Sequence, residues 1–145
     1  MIHVVLATHA TSSSDTKLTG KSLVPEITSR AELLHKSSQG RRAIMYLLVP
    51  RVSRHFTPAQ RAILEETDSI RAKTSKKDDN LRRGEILRAA SPALVELLEE
   101  KGRTERMLRD PGGSLVVTEI MLFAEGGTWF AMFKRFRRTW FLSLI

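Results

Sequence analysis

Two stretches of this chain open in the same way. Gln39-Gly-Arg-Arg-Ala-Ile-Met-Tyr-Leu-Leu and Gly112-Gly-Ser-Leu-Val-Val-Thr-Glu-Ile-Met each pass from glycine into an apolar run, and each follows a short leucine-bearing helical segment. Gly40 and Gly113 stand 73 residues apart, about two periods of a repeat in the mid-thirties. Helices of this length are marginal in isolation and must bury their apolar faces against neighbours. The echo therefore predicts a stack of short helices.

The punctuation between these runs agrees. Asp15 or Ser14 can cap a helix over residues 16–27, which Pro25 would shorten, and Ser29 can cap a short helix through Ala31, Leu33 and Leu34. The Ser37-Ser38-Gln39-Gly40 break leads into 41–49, stopped by Pro50. Thr57-Pro58-Ala59-Gln60 is a capping box with proline in the first turn, where its missing N–H costs nothing. A basic loop from Arg71 to Lys77 then precedes a helix over 81–90. Ser91-Pro92 repeats the cap-plus-proline device and opens 93–101, which Gly102 ends. Asp110-Pro111-Gly112-Gly113 opens a last helix over 114–124. Val4-Val5-Leu6 and Leu115-Val116-Val117 are β-branched but do not alternate over a useful length, so the predicted class is all-α.

Composition narrows the function. The 145 residues suit one ordinary domain with its own core, and 41% hydrophobic content excludes a disordered chain. A net charge of +8 and a pI near 10.4 favour phosphate-rich partners through counterion release. With no cysteine, thiolate metal sites and cysteine nucleophiles are excluded. His3, His9, His35 and His55 match no zinc spacing, so no metal is expected. Gly20-Lys21-Ser22 resembles the end of a phosphate loop, but Asp15 occupies the place of the required first glycine and would repel phosphate. No nucleophile elbow accompanies the serines. The chain has no layout for an enzyme or a cofactor, and no apolar run of about 20 residues that would span a membrane.

Several segments, in order and spacing, resemble the Pumilio (Puf) helical-repeat family, closest to its divergent nucleolar penguin-type branch. They are Asp15-Thr-Lys-Leu, Gly40-Arg-Arg-Ala-Ile-Met-Tyr-Leu-Leu, Arg54-His-Phe-Thr-Pro-Ala-Gln, Ile70-Arg-Ala-Lys-Thr-Ser-Lys-Lys-Asp, Ser91-Pro-Ala-Leu and Asp110-Pro-Gly-Gly-Ser-Leu-Val-Val-Thr-Glu-Ile. The blocks at 54–60 and 70–78 carry most of the specificity. The resemblance implies a right-handed, armadillo-like solenoid of three-helix repeats over residues 1–127, incomplete at both ends. It also implies that the second helix of each repeat faces nucleic acid and reads bases with three residues after its glycine. Those positions are Arg41, Arg42 and Met45 in one copy and Ser114, Leu115 and Thr118 in the other. Neither triplet ends in the amide or carboxylate that grips a base edge, so contact with the phosphate backbone is expected instead.

The candidate RNA-binding residues are Arg41 and Arg42; Arg51 and Arg54; and the run Arg71, Lys73, Lys76, Lys77, Arg82 and Arg83. The resemblance implies ribosomal or messenger RNA as partner, large-subunit ribosome biogenesis, an influence on translation, pre-ribosomal protein contacts, and residence in the nucleus and nucleolus. The alternative is a protein-interaction scaffold in ribosome assembly. Residues 128–145 read as a divergent tail outside the family fold, as if from an altered reading frame. Trp129, Phe130, Phe133, Phe136, Trp140 and Phe141 are six of the chain's nine aromatics, and Lys134, Arg135, Arg137 and Arg138 supply half of its net charge. As a helix this tail opposes an apolar stripe (Trp129, Met132, Phe133, Phe136, Trp140) to its cations, a pattern suited to an anionic membrane surface or a calmodulin-like groove.

Overall fold

The computed structural model describes residues 15–74, 77–100 and 102–125, the side chains of Arg71 and Thr74 excepted. The tail, His3, His9 and Val4-Val5-Leu6 lie outside the described residues. Among the described residues there are eight helices and no strand: α1 (Thr16–Lys21), α2 (Leu23–Ser29), α3 (Ala31–Leu34), α4 (Ser38–Leu48), α5 (Pro58–Thr74), α6 (Asp79–Glu99), α7 (Arg103–Arg109) and α8 (Pro111–Phe123). Leu115-Val116-Val117 is helical, inside α8.

Local chemistry explains where the boundaries differ from the sequence reading. The helix expected over 16–27 is two helices meeting at Ser22. Asp15 does cap the first, its Oδ1 accepting from the N–H groups of Lys17 and Leu18. Pro25 would set its ring against the carbonyl four residues back, Lys21, which is where α1 stops. Pro25 thus sits in the first turn of α2, where its lack of an N–H is harmless. Ser29 ends α2 and caps nothing; its hydroxyl donates to the Glu26 carbonyl.

A larger correction concerns Ser91-Pro92, which opens no helix. α6 runs unbroken from Asp79 to Glu99 with Pro92 inside. Ile86, Ala90, Leu94 and Leu98 are all buried and follow one another at four-residue spacing across the proline, so a single packed stripe holds the helix on course. Pro92 itself is exposed, and Ser91 bonds back to the Leu87 carbonyl instead of capping. The same Ser91 hydroxyl accepts the N–H of Glu125, tying α6 to the end of α8. The loop expected from Arg71 to Lys77 begins later, because α5 continues to Thr74. α7 is a helix the sequence reading did not place; Gly102, in the left-handed region at φ 77°, turns the chain into it.

The glycine echo is a real structural equivalence. Gly40 is the third residue of α4 and Gly113 the third of α8; both helices begin three residues earlier than expected. Each starts from a side-chain cap, Ser37 Oγ accepting from the Gly40 N–H and Asp110 Oδ2 from the Gly113 N–H. Each glycine lies on the backbone of the preceding helix: a Cβ at Gly40 would fall 2.8 Å from Leu34 Cα, and one at Gly113 would fall 3.0 Å from Met107 Cα. Leu34 and Met107 are themselves 73 residues apart.

α2, α3 and α4 therefore form one unit, and α6, α7 and α8 the next. The two stack directly, α4 on α8, with α6 reaching α1, α2, α3 and α4 as well as its own unit. The spacing of 73 is thus one step of the stack and not two, the extra length being α5 and its flanks. The core joins Val24, Ile27, Ile44, Leu47 and Leu48 to Ile86, Leu94, Val116, Val117 and Ile120, with Phe56 and Leu64 brought in from the α4–α5 connection and α5.

Candidate nucleic-acid interface

Most of the cations singled out by sequence are held by the protein itself. Arg83, on the buried side of α6, caps the C-terminus of α4, where the last carbonyls have no intrahelical donor. Its guanidinium donates to the Tyr46 carbonyl at 3.3 Å and to that of Leu48. Burial pushes its pKa down to about 10, so it remains a cation at neutral pH. Arg82 is 4% exposed, with Nε donating to the Lys77 carbonyl at 3.3 Å. Lys77 Nζ donates to Thr16 Oγ1 at 2.9 Å and pairs with Glu85, fastening α1 to α6. The Lys77 ammonium, with the Thr16 hydroxyl, holds the Glu85 carboxyl below the usual range.

Arg51 and Arg54 occupy the turns between α4 and α5. Arg51 adopts φ 67°, a left-handed conformation costly for a side chain with a Cβ, and is held there by Asp68 of α5 at 2.6 Å and Asp79 of α6 at 3.3 Å. Arg54 pairs at 2.5 Å with Glu119 of α8, and His55 Nε2 lies 3.0 Å from the same carboxylate oxygen. The Glu119 side chain is 3% exposed, so this acid is a buried anchor for the turn.

In the first base-reading triplet, Arg41 donates from Nη1 to the His35 carbonyl at 2.9 Å, and its guanidinium lies against Gly112 of the next unit. Met45 is 1% exposed and is a core residue, withdrawn from any ligand. In the second triplet Thr118 is exposed but its hydroxyl donates to the Ser114 carbonyl, and Leu115 is exposed and apolar. Neither triplet presents a set of groups able to read a base edge.

Arg42, half-exposed on α4, and Lys73, exposed near the end of α5, remain; no side-chain hydrogen bond or ion pair to a described residue engages either. The Arg71 side chain and Lys76 lie outside the described residues. The structure adds two cations that the sequence reading passed over. Lys36 and Arg109 are both exposed, and each immediately precedes the cap residue of its unit, Ser37 and Asp110. The signal was present in the 73-residue offset that links the glycines. Among the described residues no group of three or more histidines and carboxylates could hold a metal ion, and no helix is long and apolar enough to cross a membrane.

The pattern of the CPL (NUC119) domain matches residues 36–136, from just after the first unit's α3 to beyond α8. The chain belongs to this Pumilio-like family. The CPL domain here is similar to Pumilio homolog 3 of Danio rerio, 34% identical over 124 residues, covering 86% of this chain and 19% of the relative. It is also similar to Pumilio homology domain family member 6 of Schizosaccharomyces pombe, 32% identical over 123 residues, covering 84% of this chain and 19% of the relative. The chain thus spans about a fifth of the length of these relatives. Its fold is similar to the crystal structure of human Puf-A, with a TM-score of 0.70 and 30% identity over 80% of this chain and 22% of that one. A crystal structure of human Puf-A in complex with DNA matches equally well. The CPL domain is thus an all-α, Pumilio-like helical-repeat structure.

Proposed function

We propose that this CPL domain is part of a nucleic-acid-binding surface that contacts RNA through its phosphate backbone with little choice of base. The observation that carries the reading is the likeness to human Puf-A, a protein crystallised with DNA. Of the cations proposed from sequence, Arg42 and Lys73 have the surroundings such contact needs, being accessible and not neutralised by a described acid. Lys36 and Arg109 extend the set. The implied setting, carried by the family resemblance, is large ribosomal subunit biogenesis in the nucleus and nucleolus, with translational regulation as a further role and no catalysis.

Titration against unrelated single-stranded RNAs over a salt series tests this reading. Replacing Arg42 and Lys73 together by alanine should weaken all of the RNAs alike and flatten the log–log salt slope by about 1.4, two contacts' worth. An unchanged slope overturns the assignment.

A second reading, a helical-repeat scaffold for pre-ribosomal proteins with incidental RNA binding, is favoured by the internal capture of Arg51, Arg54, Lys77, Arg82 and Arg83. Partner binding that survives high salt and tracks apolar substitutions would select it.

A further inference from the structure

A groove of about 690 Å³ opens between the two units. One wall is the end of α6, where Ala93, Glu96, Leu97 and the cap residue Glu100 recur at i, i+3, i+4 and i+7 and so share a face. The other wall is the α2–α3 corner, with Thr28 and Glu32. No lining residue comes from α4 or α8, the helices that the resemblance turns towards nucleic acid. The local charge is opposite to that of the chain: Glu32, Glu96, Glu99 and Glu100 face one cation, Arg103, in a protein of net charge +8. Arg103 pairs with Glu100 and, at 3.1 Å, with Glu32, and so ties the two walls together. Its Nε is buried and has no hydrogen-bond partner among the described residues, which leaves one donor unspent. No side-chain hydrogen bond or ion pair to a described residue engages the exposed Glu96.

We propose that this groove docks a basic peptide segment of a partner protein, one that carries lysine or arginine beside an apolar side chain. Its volume lies within the roughly 300–1,000 Å³ of ordinary ligand sites, room for a few residues and not for a folded domain. Charge complementarity sets the sign of the occupant: the excess of carboxylates repels phosphate and attracts a cation. Among the described residues no group of carboxylates could hold a metal ion. A polyamine would satisfy the acids but has no acceptor for Arg103 Nε, whereas a peptide brings a carbonyl with every residue. Ala93 and the buried Leu97 give the apolar side chain a surface to cover. The proposal goes beyond nucleic-acid binding and does not depend on it. Cations elsewhere on the domain can hold RNA while this groove holds protein, so one domain brings the two together.

The test is a selection of short random peptides, displayed on phage, against the full chain cleared of RNA. The expected winners are rich in lysine and arginine and carry an apolar residue. A synthetic copy of the most enriched peptide should then bind Glu96→Lys about tenfold more weakly than the unsubstituted chain, and Glu96→Gln more weakly by a smaller factor. Glu65→Lys makes the same charge change at an exposed site on α5 and should alter affinity by less than about twofold. Both Glu96 variants replace an exposed side chain, so their thermal melts should match that of the unsubstituted chain. Enrichment of acidic peptides alone, or of none, overturns the proposal. So does a basic peptide that Glu65→Lys weakens as much as Glu96→Lys. Displacement of the peptide by spermidine at equal charge also overturns it, by assigning the groove to polyamines.

Discussion

Arg41 crosses from one unit to the next and lies against Gly112, where a Cβ would press into its guanidinium and fall 3.0 Å from Nε. An arginine that sequence offers to phosphate is thus also a spacer between α4 and α8. Its neighbour Gly113 meets something different: the carbonyl and Cα of Met107, which are backbone.

That contrast orders the glycine substitutions. Gly112→Ala needs only the far end of a flexible side chain to move and should cost less than about 1 kcal/mol. Gly113→Ala and Gly40→Ala must displace main chain and should each cost about 1–3 kcal/mol, as overpacked sites do. Gly84, inside α6 with open space around its Cβ position, should gain roughly 0.5–1 kcal/mol as alanine. Urea melts of the four variants give the ranking, and a Gly40→Ala as stable as Gly84→Ala contradicts the packing described.

Lys73 and Arg83 belong to one cationic run but should separate cleanly. Arg83→Ala strips donors from the Tyr46 and Leu48 carbonyls and should lower stability by about 1–3 kcal/mol. Lys73→Ala removes an exposed charge and should move stability by less than about 0.5 kcal/mol while weakening RNA binding. Thermal melts beside RNA titrations read both effects. The reverse pattern would exchange the two roles.

Glu119 masks a cation. Glu119→Gln removes the charge that holds Arg54 and leaves the helix intact, so the salt dependence of RNA binding should steepen. Stability should fall, because a buried acid that engages both Arg54 and His55 is lost. If the salt slope stays put while stability drops, Arg54 does not face the nucleic acid.

His35 gives the fold a pH dependence. Burial holds its imidazole below the ordinary value of 6.5, opposed by Asp110. The unfolded chain therefore binds this proton more readily than the folded one. The stability contributed by neutral His35 is complete above pH 6.5 and is lost as pH falls from there through the lowered folded value. His35→Leu, which installs the residue found at the matching position Leu108, should flatten the melting temperature below pH 6.5 relative to the unsubstituted chain. Parallel curves would assign the acid sensitivity elsewhere.

Helical class, the Thr57–Gln60 capping box and the Gly40–Gly113 equivalence were all legible in the sequence, because each is a local pattern with a local cause. The box forms as read, with Thr57 N donating to Gln60 Oε1 at 3.0 Å and Gln60 N to Thr57 Oγ1 at 3.3 Å. Ser91-Pro92 misled because the cap-plus-proline signal is local, whereas the stripe from Ile86 to Leu98 that overrides it depends on what lies across the core. The cations were harder still. Sequence reveals that Arg51, Arg54 and Arg83 are charged, but their partners Asp68, Glu119 and the Leu48 carbonyl come from other helices, which only the fold assembles.

α6 lies across both units and is bonded to each of them: to α1 through Lys77 and Glu85 at its start, to the end of α4 through Arg83, and to the end of α8 through Ser91. A protease cut at residues 75–76 would therefore not release two independent halves. The pieces would share one interface threaded through α6, and the first would be left without the helix that closes its core. Such a chain should behave as a complementation pair, each fragment folding fully only in the presence of the other.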